Sequence, residues 1–391
     1  MLESVCLVSA VRTPLGDFGG SLRPLKPLDL MQRVMAEAMI RGKITPPQID
    51  QVIVGNCFAP LEQNVARVAS LLLGLPYETP GYTINCACSS GMQAVINGAM
   101  SIAQGHADII LAGGVESMSN APYIMDTARW GQRLRHLQGI DLIWKAMQEY
   151  PVGGGMGLAA ERLAEKYNLS REDLDQLSVS SHQRAIRAIE EKRFQREILP
   201  LDVPAGRGKT IRVDTDEHPR SDTTMETLAL LQPAFKENGV VTAGNSSSLN
   251  DGASAVIIAS ERRAHELGLP IMARITSFSL VAVDPHLVGI ASVPAITRAL
   301  DRSGVSLQDV KLFEINEAFA SYYMACEKEL DLDREITNVN GSGISLGHPV
   351  GCTGCRILVT LYYEMERQDL SNGIAALCAG GGVGTAILLE R

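Results

Sequence analysis

Four positions combine a reactive or polar side chain with a setting in which it can work: Cys88, Asn316, His348 and Cys378. Cys88 lies in T-I-N-C-A-C-S-S-G-M, where an apolar strand pattern gives way to a helical one. A thiol at a helix N-terminus faces unpaired N–H groups and the positive end of the helix dipole, and both favour the thiolate. Ala87, Ser89 and Gly91 are small and leave room for a substrate to approach. A buried packing cysteine is the competing reading, and position alone does not separate the two. Cys86 lacks the helix terminus beside it and reads as a packing residue.

His348 sits in G-I-S-L-G-H-P-V-G. The proline after it blocks continuation of a preceding helix, so His348 marks a turn that opens the next one. Neutral imidazole near pH 7 can take a thiol proton. The plainer reading is a turn histidine with a satisfied hydrogen bond. Cys378 closes an apolar run and precedes A-G-G-G-V-G, where backbone N–H groups can approach a ligand and form an oxyanion site. Core packing is the more ordinary fate of such a cysteine. The glycines from Gly380 to Gly384 do not read as a dinucleotide loop, because the seven residues after Gly384 have strand composition and leave no helix for a pyrophosphate. Asn316, in I-N-E-A-F-A, can orient a water, donate to a developing oxyanion, or simply cap a helix. A zinc site built from Cys86-x-Cys88 and Cys352-x-x-Cys355 reads poorly. The first spacing is too tight, and the second pair falls inside a helical pattern.

The elements that must carry these groups alternate between short apolar runs and longer amphipathic ones, the α/β pattern. Strands are expected at 5–11, 51–55, 82–85, 107–112, 272–280, 310–315, 373–378 and 385–389. Helices are expected at 28–40, 64–73, 89–104, 293–302, 318–329 and 351–366. The two ends of the chain resemble each other. IVGNCFA returns as FEINEAFA, and IILAGGVES returns as AALCAGGGVG. Asn56 and Asn316 stand 260 residues apart, as do Cys88 and His348, which points to an internal duplication. The stretch from about Ser117 to Gly244 fits neither half. It holds the basic run ARWGQRLRH, the flexible GGGMG, a charged helix around 161–193 and the polar RGKTIRVDTDEHPRSDTT. An insertion of this kind reads as a binding loop or lid, or else as an oligomerisation arm.

With 391 residues, 46% of them hydrophobic, the chain has about two to three domains' worth of material and needs no disulfide or metal staple. The net charge of −9 argues against general nucleic-acid binding. Eight cysteines are too few for a disulfide scaffold. The opening MLESVCLVSAVRTP carries Glu3 and no Lys or Arg before its apolar run, so it reads as a strand and not as a signal peptide. No stretch approaches the roughly 18 apolar residues of a membrane helix. A soluble cytoplasmic protein with no membrane contact is expected.

The chain resembles the thiolases over essentially its whole length. The resemblance is carried by VRTPLGDFGG at 11–20, NCACSSGMQAV around Cys88, LAGGVESMS at 111–119 and MGLAAERLA at 156–164. It continues in DEHPRSDTT at 216–224, VTAGNSSSLNDGASA at 241–255, NEAFA at 316–320, GHPVGCTG at 347–354 and CAGGG at 378–382. It implies two duplicated α/β halves in a five-layer αβαβα arrangement with an inserted loop domain. Residues 1–118 would form the first half, 119–249 the insertion, with a return to the first half near its end, and 250–391 the second half. It implies a reversible acetyl-CoA C-acetyltransferase, with a longer-chain 3-ketoacyl-CoA thiolase as the alternative and a non-catalytic lipid-binding relative as a remote one. Acetyl-CoA, acetoacetyl-CoA and coenzyme A are then substrates, with no tightly bound cofactor and no metal. By the same resemblance Cys88 is the acylated nucleophile and His348 its base. Cys378 moves the proton at the α-carbon, and Asn316 holds a water near the enolate oxygen. The N–H groups of Cys88 and Gly380 form the oxyanion hole, Ser247 lies near the pantetheine arm and Arg220 near the nucleotide. A homodimer or homotetramer is implied as well. Three positions depart from the family pattern and are expected to line the acyl and pantetheine pocket. Ser342 stands in a run that is usually glycine and alanine, Val288 replaces a common methionine, and Gly155 stands where biosynthetic members carry histidine.

Overall fold

A computed structural model describes residues 3–131, 134, 136–206 and 208–391. The strands that build the core are β1 (Val5–Arg12), β2 (Gln51–Gly55), β3 (Gly81–Ile84), β4 (Ile109–Ser117), β5 (Asn250–Ser260), β6 (Ala273–Ala282), β7 (Phe313–Ile315), β8 (Asn372–Ala379) and β9 (Val383–Glu390). The helices that matter below are α1 (Pro27–Gly42), α2 (Val65–Leu72), α3 (Ser90–Ala103), α4 (Leu142–Gln148), α5 (Met156–Lys166), α6 (Arg171–Glu190), α7 (Ser292–Ser303), α8 (Ala320–Leu330) and α9 (Val350–Arg367).

The duplication is visible in the strand pairing. In the first half β1 pairs antiparallel with β5, β5 antiparallel with β4, and β4 parallel with β2. In the second half β6, β9, β8 and β7 repeat those relations in that order. β3 is an extra edge strand, parallel to β2. The two half-sheets are joined where Cys6 and Leu7 of β1 face Arg274 and Ala273 of β6.

Neighbouring residues of the central strands enter different cores, as the period of two requires. Ile109 and Leu111 face the cluster under α1 and α2, whereas Ile110 and Ala112 face α3 and α9. In β8, Leu377 faces that same middle layer, while Ala376 and Cys378 face the cluster built with α5, α7 and α8. Both faces of each half-sheet are therefore covered. The order of layers is helices, sheet, the α3 and α9 pair, sheet, helices.

Two expectations change. The sequence pattern shows no strand at β5, although all eleven of its residues are buried. Its NDGASA start is small and polar, and burial on both faces removes any alternation. β5 lies inside the first half-sheet, so the halves meet between Ser260 and Ala273 and not at residue 250. The expected single charged helix is in fact α5 and α6. Asn168 takes a left-handed φ of 49° between them, and Ser170 starts α6 with a reciprocal cap to Asp173.

Candidate active site

Two chain segments that are remote in sequence are brought together by the crossing of α3 and α9. A Cβ on Gly91 would lie 2.8 Å from the Gly351 carbonyl oxygen, and one on Gly354 would lie 2.5 Å from the Met92 nitrogen. A Cβ on Gly114 in β4 would lie 2.2 Å from the same Gly351 oxygen. Gly91 thus serves backbone contact between helices and not the access for a substrate that its position suggests, while a Cβ on Gly351 would lie 2.7 Å from the Val115 carbonyl oxygen at the end of β4. The helix contact sets the N-termini of α3 and α9 side by side, and with them Cys88 and His348.

Glu116 at the end of β4 secures the crossing. Its buried carboxylate accepts N–H bonds from Cys57 and Phe58 at 3.0 Å, from Gly351 at 3.1 Å, and from the Asn56 amide at 3.0 Å. Burial pushes this carboxyl up to about 7. The sequence reading did not single it out, because a lone Glu at a strand end carries no periodic signal.

Cys88 is half-buried, one residue after Ala87, which holds a φ of 48°. An alanine in the left-handed region costs on the order of 1 kcal/mol, so the turn is imposed by its surroundings. Ser90 imposes much of it: its hydroxyl accepts from the Cys86 N–H at 2.9 Å and donates to the Ala87 carbonyl at 2.6 Å. The backbone N–H of Gly380 near the Cys88 sulfur favours its thiolate. Burial outweighs this and the helix N-terminus together, so the thiol is pushed up to about 11. Burial thus works against the thiolate that the helix N-terminus favours.

His348 is buried, and burial lowers it to about 3, with the positive charge of Arg356 acting in the same direction. It is a neutral base throughout the physiological range. Its Nδ1 lies 2.7 Å from the Thr353 hydroxyl, which donates its own proton to the Pro349 carbonyl at 3.0 Å. The hydroxyl oxygen must then accept, so Nδ1 carries the ring proton and Nε2 is the free base. The backbone N–H of His348 donates to Asn250 Oδ1 at 2.8 Å. Thr353 is a positioning residue that sequence reasoning missed, although its place one helical turn beyond Pro349 in G-H-P-V-G-C-T-G could have found it. Thr353→Val is expected to lower kcat for acyl transfer about tenfold, the scale of one hydrogen bond, and Thr353→Ser to restore it. Steady-state kinetics of both variants over a pH range checks this, since a purely structural defect would not be rescued by serine.

Asn316 is buried after β7, with its side-chain nitrogen 3.5 Å from both ring nitrogens of His348. Its Oδ1 has no hydrogen-bond partner among the described residues, a costly state for a buried amide unless something polar meets it. It caps no helix, because α8 begins only at Ala320. Cys378 is buried at the end of β8, and burial, then the proximity of Cys88, push its thiol well above the usual range.

Cys88, His348, Cys378 and Gly380 all line one cavity of about 360 Å³, together with Ser247, Phe235, Leu249, Phe319 and Met156. Asn316 stands behind His348 and does not line it. Arg220 does not line it either: it is exposed, and its backbone N–H donates to His182 Nδ1 at 3.1 Å. Of the three departures from the family pattern, only Val288 reaches the cavity wall. Ser342 is buried with its hydroxyl on the Ile315 carbonyl, and Gly155 packs against Gln148. Cys352 and Cys355 are buried in α9, and among the described residues no group of His, Cys, Asp or Glu could hold a metal ion. Gln132, Arg133 and Arg135 of the basic run, and Arg207 of the second polar stretch, lie outside the described residues.

A thiol, a neutral imidazole, a second thiol and an inward N–H around one mostly apolar cavity define a site for acyl transfer through a cysteine thioester. Residues 5–262 match the thiolase N-terminal domain and residues 269–391 the thiolase C-terminal domain. The chain is 46% identical to the acetyl-CoA acetyltransferase of Pseudomonas aeruginosa, with 100% of each chain covered. It is 41% identical to the mitochondrial 3-ketoacyl-CoA thiolase of Bos taurus, with 100% of this chain and 99% of the other covered. Among solved structures, the Bacillus anthracis acetyl-CoA acetyltransferase superposes with a TM-score of 0.97 at 47% identity, covering 100% of this chain and 99% of that one. The human mitochondrial 3-ketoacyl-CoA thiolase in complex with CoA gives 0.95 at 40% identity, covering 100% and 98%. The chain belongs to the thiolase family.

Proposed function

We propose that this chain is an acetyl-CoA C-acetyltransferase, catalysing the reversible thiolysis of acetoacetyl-CoA by CoA. The observation that carries the reading is the convergence of Cys88, His348, Cys378 and the Gly380 N–H on one cavity of a thiolase chain. In thiolysis, Cys88 passes its proton to His348 Nε2 as its sulfur attacks the 3-keto carbon. The N–H groups of Cys88 and Gly380 hold the oxyanion. The carbon–carbon bond breaks, the acetyl group stays on Cys88, and the electron pair enters the acetyl-CoA enolate. A water on Asn316, with His348, stabilises the enolate oxygen, and the Cys378 thiol protonates the enolate carbon. The proton on His348 restores the Cys378 thiol. A CoA thiol then loses its proton to His348 and attacks acetyl-Cys88, which leaves and takes that proton. Neutral resting thiols suit this order, since both cysteines begin as proton donors.

Ser247 lies on the cavity wall as a contact for the pantetheine arm, and Arg220 is assigned to the nucleotide end from the family resemblance alone. The expected setting is cytoplasmic fatty-acid metabolism, with a homodimer or homotetramer as the working form. A longer-chain 3-ketoacyl-CoA thiolase is the second reading. It is favoured by a further cavity of about 500 Å³ that also borders Cys88 and is lined by Phe58, Met147, Tyr150, Val350 and Val383. Thiolysis of 3-ketoacyl-CoA esters from four to ten carbons decides. The expected kcat/KM is highest at four carbons and falls with length. A rising series selects the second reading, and no CoA-dependent cleavage at any length overturns both.

A further inference from the structure

Most polar side chains around the active-site cavity are already committed. The Ser246 hydroxyl donates to the Thr242 carbonyl at 2.6 Å, Ser248 to Asn250 at 2.7 Å, and Tyr322 to the Met156 carbonyl at 2.8 Å. Among the hydroxyl and carboxamide side chains lining it, only Ser247 and Gln148 make no hydrogen bond within the described residues. A half-buried carboxamide facing an apolar cavity with one acceptor and two donors unused is primed for a ligand that offers both.

The chain has also cleared space for this group. Gln148 ends α4, and Gly155 lies directly against it. A Cβ on Gly155 would stand 2.8 Å from the Gln148 carbonyl oxygen, 3.0 Å from its Cα and 3.0 Å from its Oε1. No side chain fits at 155 while Gln148 holds this place.

We propose that the Gln148 carboxamide binds the amide nearest the sulfur in the thiol arm of CoA, donating its side-chain N–H to that amide's carbonyl. The arm is a slim chain of methylenes interrupted by amides. It matches a cavity whose walls are Phe235, Leu249, Phe319 and Met156, with polar groups only at isolated points. The position near the sulfur follows from the neighbours of Gln148: Met147 beside it lines both cavities that meet at Cys88. This inference rests on the thiolase reading and names the group that recognises the arm within it.

The test compares wild type with Gln148→Met, which keeps the length and removes the amide, on three acetoacetyl thioesters. These are the CoA ester, the N-acetylcysteamine ester, which keeps the near amide, and the propanethiol ester, which has none. The expected result is a KM raised about tenfold for the first two and unchanged for the third, with kcat retained, the scale of one neutral hydrogen bond. An equal rise for all three means that Gln148 shapes the cavity only, and no rise means that it touches nothing; either overturns the proposal. Calorimetric binding of free CoA is the second measurement, expected to weaken about tenfold in Gln148→Met. It holds even if wild type cleaves none of the esters, an outcome that counts against the thiolase reading and not against Gln148.

Discussion

Cys88→Ala is expected to abolish acyl-enzyme formation and to lower turnover by on the order of 10⁶-fold, the scale seen when a nucleophile is removed from a hydrolytic enzyme. Nothing else on the cavity wall can replace it. Cys378 is more deeply buried and lies at the end of a strand, away from the helix N-terminus, and Cys86 points its backbone N–H at Ser90, outside that cavity. The check is intact mass after incubation with acetyl-CoA: wild type gains one acetyl group and Cys88→Ala gains none. The same protein should still bind CoA, because the residues proposed to hold the arm are untouched. The pH behaviour has a definite sign. With the thiol near 11 and the imidazole near 3, the resting pair is neutral between those values. Alkylation of Cys88 by a small neutral reagent should therefore accelerate with rising pH up to about 11, without a plateau near neutrality. Acetylation of an alanine variant, or a neutral-pH plateau, would contradict the assigned state of Cys88.

Cys378→Ala should separate the two halves of the reaction. The cavity keeps Cys88, His348 and the Gly380 N–H, so the protein should still take one acetyl group from acetyl-CoA. It should lose condensation and thiolysis by about 10²–10⁴-fold, the usual worth of a positioned proton donor or acceptor. The loss sits at the α-carbon, so exchange of the acetyl-CoA methyl protons with solvent deuterium should fall by the same factor. Near-normal condensation in Cys378→Ala would remove it from the mechanism and return it to the packing role that its burial in the outer core also allows.

How much of this was legible in the chain differs from residue to residue. The strand and helix periods placed β1, β2, α3 and α9 to within a few residues, because long amphipathic or apolar segments announce themselves. The doubled motif and the shared spacing of 260 residues foretold the repeated strand order. β5 escaped, since a strand covered on both faces by close-packed neighbours can be built from Asn, Asp, Gly, Ala and Ser without alternation.

The motifs that mark the family are not all chemical. VRTPLGDFGG and DEHPRSDTT hold each other in place. Arg12, fully buried, pairs with Glu197 at 2.5 Å and with Asp216 at 2.6 Å, and His218 meets Asp17 at 2.6 Å. Such buried pairs are worth most when complete, because removing one partner strands the other charge. From sequence these residues look as much like a site as Cys88 does.

The sequence by itself determined which groups are present and which local setting each receives: a thiol and an imidazole each at a helix opening, a second thiol before glycines, an amide after a strand. Only the tertiary structure decided that these settings coincide. It does so through backbone contacts at Gly91, Gly114, Gly351 and Gly354, where a missing side chain is the signal, and an absent atom has no period to read. The tertiary structure also set the direction in which the Cys88 thiol is shifted. Proximity to a helix terminus is local and argues for a thiolate, whereas desolvation depends on everything that surrounds the sulfur, and here it is the larger effect.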